Sequence, residues 1–241
     1  MCGYARRDFM VPYYAQIAML HYWAAKEDYL SLEKKQHEDE TSLILRGSIQ
    51  KNVMVTIMFS AIALEAFFND FAAAKLGDNF FHENFELLRP IGKLQLISKF
   101  ILHQDIDKGA RLYELVNSLF KHRNQLVHSK SKDAHGMGMT ESELEEWDKF
   151  LKTEAGQEFL KEERKIDVSE EREWAKDAYE ALLALKEVGQ FFDEYGEDKF
   201  ALGVLLLSNA MISETEENIN HIQTVQSELG VPLLVYPKDN T

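Results

Sequence analysis

The sequence holds one cysteine, Cys2, and four prolines, Pro12, Pro90, Pro232 and Pro237, in 241 residues. A single thiol excludes an intrachain disulfide and suits a reducing compartment. Proline breaks a helix interior by removing a donor and clashing with the preceding turn. Its absence from residues 13–89 and 91–231 leaves room for long helices. There is no GxGxxG and no P-loop, which removes the usual phosphate-cradling loops. There is no HExxH, and the eight histidines are scattered, His128 and His135 being separated by a loop-like stretch. A metal enzyme is therefore disfavoured, and no cofactor is implied. No run of 18 apolar residues is free of polar interruption. The densest region, residues 53–76, carries Thr56, Ser60, Glu65, Asn69 and Asp70, which argues against a transmembrane span. "RRDF" at Arg6–Phe9 faintly resembles a twin-arginine signal. The residues after it, Gln16, His21, Lys26, Glu27 and Asp28 among them, give no apolar h-region and no A-x-A site. The expected location is the cytoplasm.

Positive charge is also scarce. Twenty-seven Lys and Arg stand against 41 Asp and Glu, a net charge of −14, which is a poor basis for coating nucleic acid. The distribution is uneven. Residues 141–198 hold 20 acids and 8 bases, a net of −12, whereas residues 119–135 hold Lys121, Arg123, Lys130 and Lys132 against Asp133, a net of +3.

What is present is apolar residue at helical spacing. At 45% hydrophobic, the chain can bury a sizeable core. The expected fold class is all-α. A first helix is expected near 13–35, with Tyr13, Ile17, Leu20, Trp23 and Leu30 inward. A second starts at Thr41–Ser42, both plausible N-caps, and runs to Leu76, with Gly77 as its C-terminal stop. A short helix opens at Pro90, suited to the first helical position, and ends near His103. The next runs from about Asp107 to His128, followed by an exposed loop over 129–140. Acidic and amphipathic helices follow at about 141–165 and 170–195, the latter with Ala175, Ala178, Leu182, Leu185 and Phe192 spaced by threes and fours. Residues 1–198 are read as the main bundle. Residues 199–241 are read as a C-terminal helical appendage packed on the same domain, with a helix near 199–229 and one extended segment at 231–237.

The stretch "LFKHRNQLVHSK", residues 119–130, breaks an otherwise ordinary pattern. Leu119, Phe120, Leu126 and Val127 read as an inner face. Leu112, Val116, Leu119, Arg123 and Leu126 are spaced as a bundle seam, and Arg123 takes an inward position on it. In the second helix Met54, Met58, Ala61, Glu65, Phe68 and Ala72 form a similar seam, with Glu65 on it. A buried charge needs a partner, so Glu65 is expected to face Arg123. Such a pair can simply fix helix register, or it can serve a site. His128 lies about 40° round the helix from Asn124 and about 140° from Arg123. A histidine at a helix C-terminus also complements the macrodipole without any further role.

Arg123, Asn124 and His128 together carry a resemblance. "RNQLVH" resembles the R-polar-x3-H signature of the HEPN superfamily, whose name abbreviates higher eukaryotes and prokaryotes nucleotide-binding. "ALEAFFNDF" at 63–71 is similar to the second helix of these domains, with its acidic residue at Glu65. The resemblance spans roughly residues 13–195. It implies an up-and-down helical bundle of HEPN type that usually dimerises and brings two motifs together in a composite site. It implies a metal-independent endoribonuclease, often a toxin of a toxin–antitoxin pair or a phage-defence effector, with RNA as substrate and an antitoxin protein as possible partner. Other members keep the fold as noncatalytic binding or scaffolding modules, and that alternative stays open. On the ribonuclease reading, Arg123 and His128 are the catalytic pair. Histidine titrates near neutral pH and can move a proton, while arginine stabilises charge on phosphate oxygens. Asn124 orients His128 or the phosphate, Glu65 supports Arg123, and Lys121, Lys130 and Lys132 attract the backbone. Many antitoxin-paired members carry a tyrosine two residues after the histidine. Lys130 stands there, so regulation through that tyrosine is not expected.

Overall fold

The computed structural model describes residues 10–35, 39–127, 146, 148–150, 152–155, 157, 167–197, 201–207 and 215–231. The described residues build an all-α bundle with no strand among them. Helix α1 is Met10–Glu33, α2 is Glu40–Leu76, α3 is Asp78–Asn84, α4 is Pro90–Phe100 and α5 is Arg111–Val127. Helix α6 is Ser169–Tyr195. A π-helical turn, Gly203–Leu207, and α7, Glu216–Glu228, follow among the described residues. The sequence expectations for 129–140 lie outside the described residues, as do most of 141–165 and all of 231–237 except Val231.

Helix boundaries follow local chemistry. The α2 N-cap is Asp39, not Thr41 or Ser42. Asp39 Oδ1 accepts the Ser42 backbone N–H (2.7 Å), and Ser42 Oγ accepts the Asp39 N–H (3.2 Å), so Ser42 closes a capping box from the third helical position. Gly77 ends α2 at φ 85°, a backbone conformation that suits a residue without Cβ. Pro90 opens α4 as expected. That helix stops at Phe100, and His103 at φ 55° turns the chain away. Helix α5 starts at Arg111 and not at Asp107, because Asp107 is spent on a turn. Its Oδ1 accepts the Gly109 N–H (3.0 Å) and its carbonyl the Ala110 N–H (3.0 Å).

Pairings between helices fix their directions. His21 Nδ1 donates to Asn52 Oδ1 (2.8 Å), Thr56 Oγ1 to the Ala18 carbonyl (3.3 Å), and Tyr14 packs on Phe59. As α1 advances its partners on α2 recede, so the two run antiparallel. Arg46 pairs with Glu171 near one end of α2, and Phe67, Phe68 and Phe71 surround Phe192 near the other. These contacts make α6 parallel to α2. Glu171 is buried and Arg46 also donates to the Asp167 carbonyl (2.9 Å), so this pair clamps the start of α6.

The buried faces differ in detail from the seams read in sequence. On α1 the core side is Val11, Ala15, Ala18, Met19, Tyr22, Ala25 and Leu32, while Tyr13 is exposed and Ile17, Leu20, Trp23 and Leu30 are only half-buried. Small residues allow the closest helix approach, and a reading that follows bulky side chains misses that. On α2 Met54 is exposed, and Ile49, Val53, Ile57, Ala61, Leu64, Phe68 and Phe71 lie inside. By length and composition α2 could cross a membrane, and 56% of its most apolar window is buried in the bundle.

The expected single helix over 199–229 is interrupted: among the described residues the C-terminal part shows two helical pieces, with Thr215 extended ahead of the second. Asp193 at the end of α6 accepts the Ala201 N–H (2.7 Å) and the Leu202 N–H (3.1 Å), starting the first piece. Leu205, Leu206, Ile222, Val225 and Leu229 join the same core cluster as α1 and α2. His221 stacks on Trp23 with ring centres 3.4 Å apart, and Glu228 meets Lys26 and Tyr22.

Two stability outcomes are expected. A Cβ on Gly189 would lie 2.8 Å from Leu202 Cα. Gly189→Ala should therefore lower unfolding stability by about 1–3 kcal/mol in a denaturant titration. The Asp39 carboxyl is held down to about 2, first by Lys35 and then by the Ser42 N–H and hydroxyl. A depressed carboxyl stabilises the fold above its unfolded value, and that contribution is lost as pH falls through the folded value. Asp39→Asn, which keeps a capping oxygen, should lower the melting temperature at pH 7, and the gap should close between about pH 4 and pH 2.

Candidate functional site

Helices α2, α4 and α5 meet around one carboxylate. Glu65 is half-buried on α2, and its two oxygens face two different cations. Oε2 lies 4.0 Å from Arg123 Nη2 and Oε1 lies 4.0 Å from Lys93 Nζ. The approach of Glu65 and Arg123 expected from the seams is thus present. The second cation was not anticipated.

Each cation has its shorter bond elsewhere. Arg123 Nη1 donates to Asn124 Oδ1 at 3.0 Å. Lys93 Nζ donates to Asn69 Oδ1 at 2.7 Å. Glu65 and Asn69 are four residues apart on α2, so they share a face and both reach Lys93. Arg123 Nε is buried and has no hydrogen-bond partner among the described residues. An unpartnered guanidinium nitrogen is a costly group to leave dry, so a side-chain movement that gives it an oxygen partner is favoured.

Exposure separates the two cations. The Lys93 side chain is 2% exposed, against 31% for Arg123 and 34% for Glu65. Lys93 therefore sits beneath the carboxylate while Arg123 lies at the surface beside it. Burial pushes the Lys93 ammonium below the ordinary lysine range, and Glu65 and then Glu86 push it back up. The cluster of Glu65, Lys93 and Arg123 carries two positive charges and one negative.

The other sequence candidates divide. Asn124 and Lys121 are exposed on α5. Val127, read as inner face, is 50% exposed. The inward line of α5 is instead Leu112, Val116, Leu119 and Phe120, continued by half-buried Arg123 and Leu126. His128, Lys130 and Lys132 lie outside the described residues. Lys93 and Asn69 were missed by the sequence reading. A signal existed for Lys93: it is four residues before Ile97 and adjacent to Leu94, both fully buried, which puts it on the core face of α4.

No protein-family model, curated protein or solved structure matches this chain.

Removing the shared carboxylate should take from Arg123 its ion-pair partner and from Lys93 the nearer of its two counter-charges. Glu65→Gln is expected to destabilise the fold on the order of 1–3 kcal/mol, the partial exposure of Arg123 keeping the loss below that of a fully buried pair. A denaturant titration of that variant matching wild type would rule out this electrostatic role.

Proposed function

We propose that the chain is a metal-independent endoribonuclease of HEPN type that cleaves single-stranded RNA. The observation that carries the reading is Arg123. It is half-buried, 4.0 Å from the Glu65 carboxylate and bonded to Asn124, on the helix that carries the Arg and Asn of the R-N-x3-H motif. Arginine at this position can hold a phosphodiester and stabilise charge developing on its oxygens.

The chemistry follows from RNA itself. The 2′-hydroxyl oxygen attacks the adjacent phosphorus and the bond to the 5′-oxygen breaks. A base removes the 2′ proton and an acid supplies one to the leaving oxygen. His128 is assigned to that proton transfer, since an imidazole is both acid and base near neutral pH. The products are a 2′,3′-cyclic phosphate and a 5′-hydroxyl. Asn124 orients the phosphate or the imidazole, and Lys121, Lys130 and Lys132 add attraction that does not depend on base identity. The assembly that fits is a homodimer with a composite site, in the cytoplasm. The role that fits is a toxin or phage-defence effector, with an antitoxin protein as its partner. The net charge of −14 favours a second reading, a noncatalytic helical binding or scaffolding module in which Glu65 and Arg123 fix helix register.

Incubating the purified chain and its His128→Ala variant with mixed single-stranded RNA in EDTA separates the two. Cleavage to 2′,3′-cyclic phosphate ends by the wild type, lost in the variant, is the expected result. Equal background from both proteins, with the wild type folded and dimeric, would leave the binding module as the function.

A further inference from the structure

We infer that Lys93 is a positioning residue of this site: it retains the Glu65 carboxylate so that Arg123 can leave it for an RNA phosphate. The inference rests on the ribonuclease reading and adds to it a residue outside the R-N-x3-H motif.

The geometry sets up an exchange. Each oxygen of Glu65 faces one cation at 4.0 Å, a distance of ion pairing and not of hydrogen bonding. Neither contact is a tight one. Arg123 is the member at the surface, and its Nε is free among the described residues. Lys93 is interior, anchored at 2.7 Å to Asn69, and in this arrangement is too deep to reach a polymer. Glu86 also acts on Lys93, but Glu86 is exposed and bonded to His82 (2.9 Å), leaving Glu65 as the nearer counter-charge.

Consider the site when a phosphate arrives. With Lys93 present, Arg123 can turn to the phosphate and Glu65 keeps a cation beside it. Without Lys93, moving Arg123 would strand a half-buried carboxylate, so Glu65 would hold the guanidinium and compete with RNA. A buried charge of this kind is not retained for stability. Replacing buried ionic groups by apolar side chains of similar volume is often neutral or favourable, and burial already disfavours the charged ammonium here. Its best use is to tune a neighbour that works at the surface.

The test measures binding by the full chain to a single-stranded 2′-O-methyl RNA, which cannot undergo 2′ attack, by fluorescence anisotropy at one fixed salt concentration. Lys93→Met should raise Kd about tenfold, and adding Glu65→Gln should bring it back to within about threefold of wild type. A Lys93→Met protein that binds as wild type does overturns the inference. So does a double variant that binds as weakly as the single one, since that result assigns Lys93 a direct or purely structural role. If Lys93→Met alone does not fold, the double variant is compared with Glu65→Gln. Equal Kd values support the inference, because a neutral residue 65 leaves Lys93 nothing to hold, and a tenfold gap overturns it. Wild type that neither binds this RNA nor cleaves ordinary RNA removes the ribonuclease reading and this role together. Wild type that cleaves while the Lys93 variant binds normally removes this role alone.

Discussion

At 37 residues α2 rises about 55 Å, and it is apolar on nearly every side, so no single neighbour can cover it. The rest of the chain is arranged to do so. Helix α1 runs back along it with alanines at the closest approach, and α6 lies alongside with Phe192 set among Phe67, Phe68 and Phe71. Helices α4 and α5 close over the later half, the π-helical turn packs on α1 and α6, and α7 packs on α1. Two of the polar groups that α2 carries inward are met locally. Thr56 bonds carbonyls on both α1 and α2, and Asn52 is joined by His21 and Ser48. Burial of one long helix thus dictates both where the other helices lie and where charge is tolerated.

The two charge clusters on α2 answer that constraint differently. Near its start Arg46 meets buried Glu171, one cation against one anion, and also bonds the Asp167 carbonyl. That contact is direct and fixes the placement of α6, with Glu171 Oε2 left without a hydrogen-bond partner among the described residues. In the later half Glu65 faces Lys93 and Arg123 at 4.0 Å each, while the exposed Glu86 also acts on Lys93. The first pair lies in direct contact and its carboxylate is buried. The second is loosely shared, and its arginine is the member that reaches the surface. How tightly each charge is held, more than the presence of charge, distinguishes the two clusters.

Much of this was legible in the residue pattern because helix punctuation is local. Pro90 and Gly77 mark boundaries by backbone constraint alone, and the Glu65–Arg123 approach follows from counting threes and fours. Faces were harder. On α1 the bulky residues Leu20 and Trp23 drew the inward face to one side, yet Ala15, Ala18 and Ala25 lie deepest, since close packing selects small side chains that periodicity weighs lightly. The α2 cap was misplaced because Asp39 and Ser42 act as a reciprocal pair, and either alone reads as a candidate. Lys93 was overlooked because an 11-residue helix offers too few turns for one charged residue to stand out against the pattern.

An acidic chain that acts on RNA has to do so through short-range contacts. At physiological ionic strength the screening length is about 8 Å, so on the proposed reading charge much further than that from Arg123 has little influence on a strand held there. In sequence Arg123 belongs to the stretch 119–135, whose net charge is +3. Extended backbone tracking, which needs a long basic groove and stacked aromatics, does not fit this balance. Engagement of a few phosphates at one place does. In that setting the electrostatic state of a single arginine decides affinity. On the inference drawn for Lys93, a buried lysine that governs how firmly this arginine is held has more influence than further surface charge would bring.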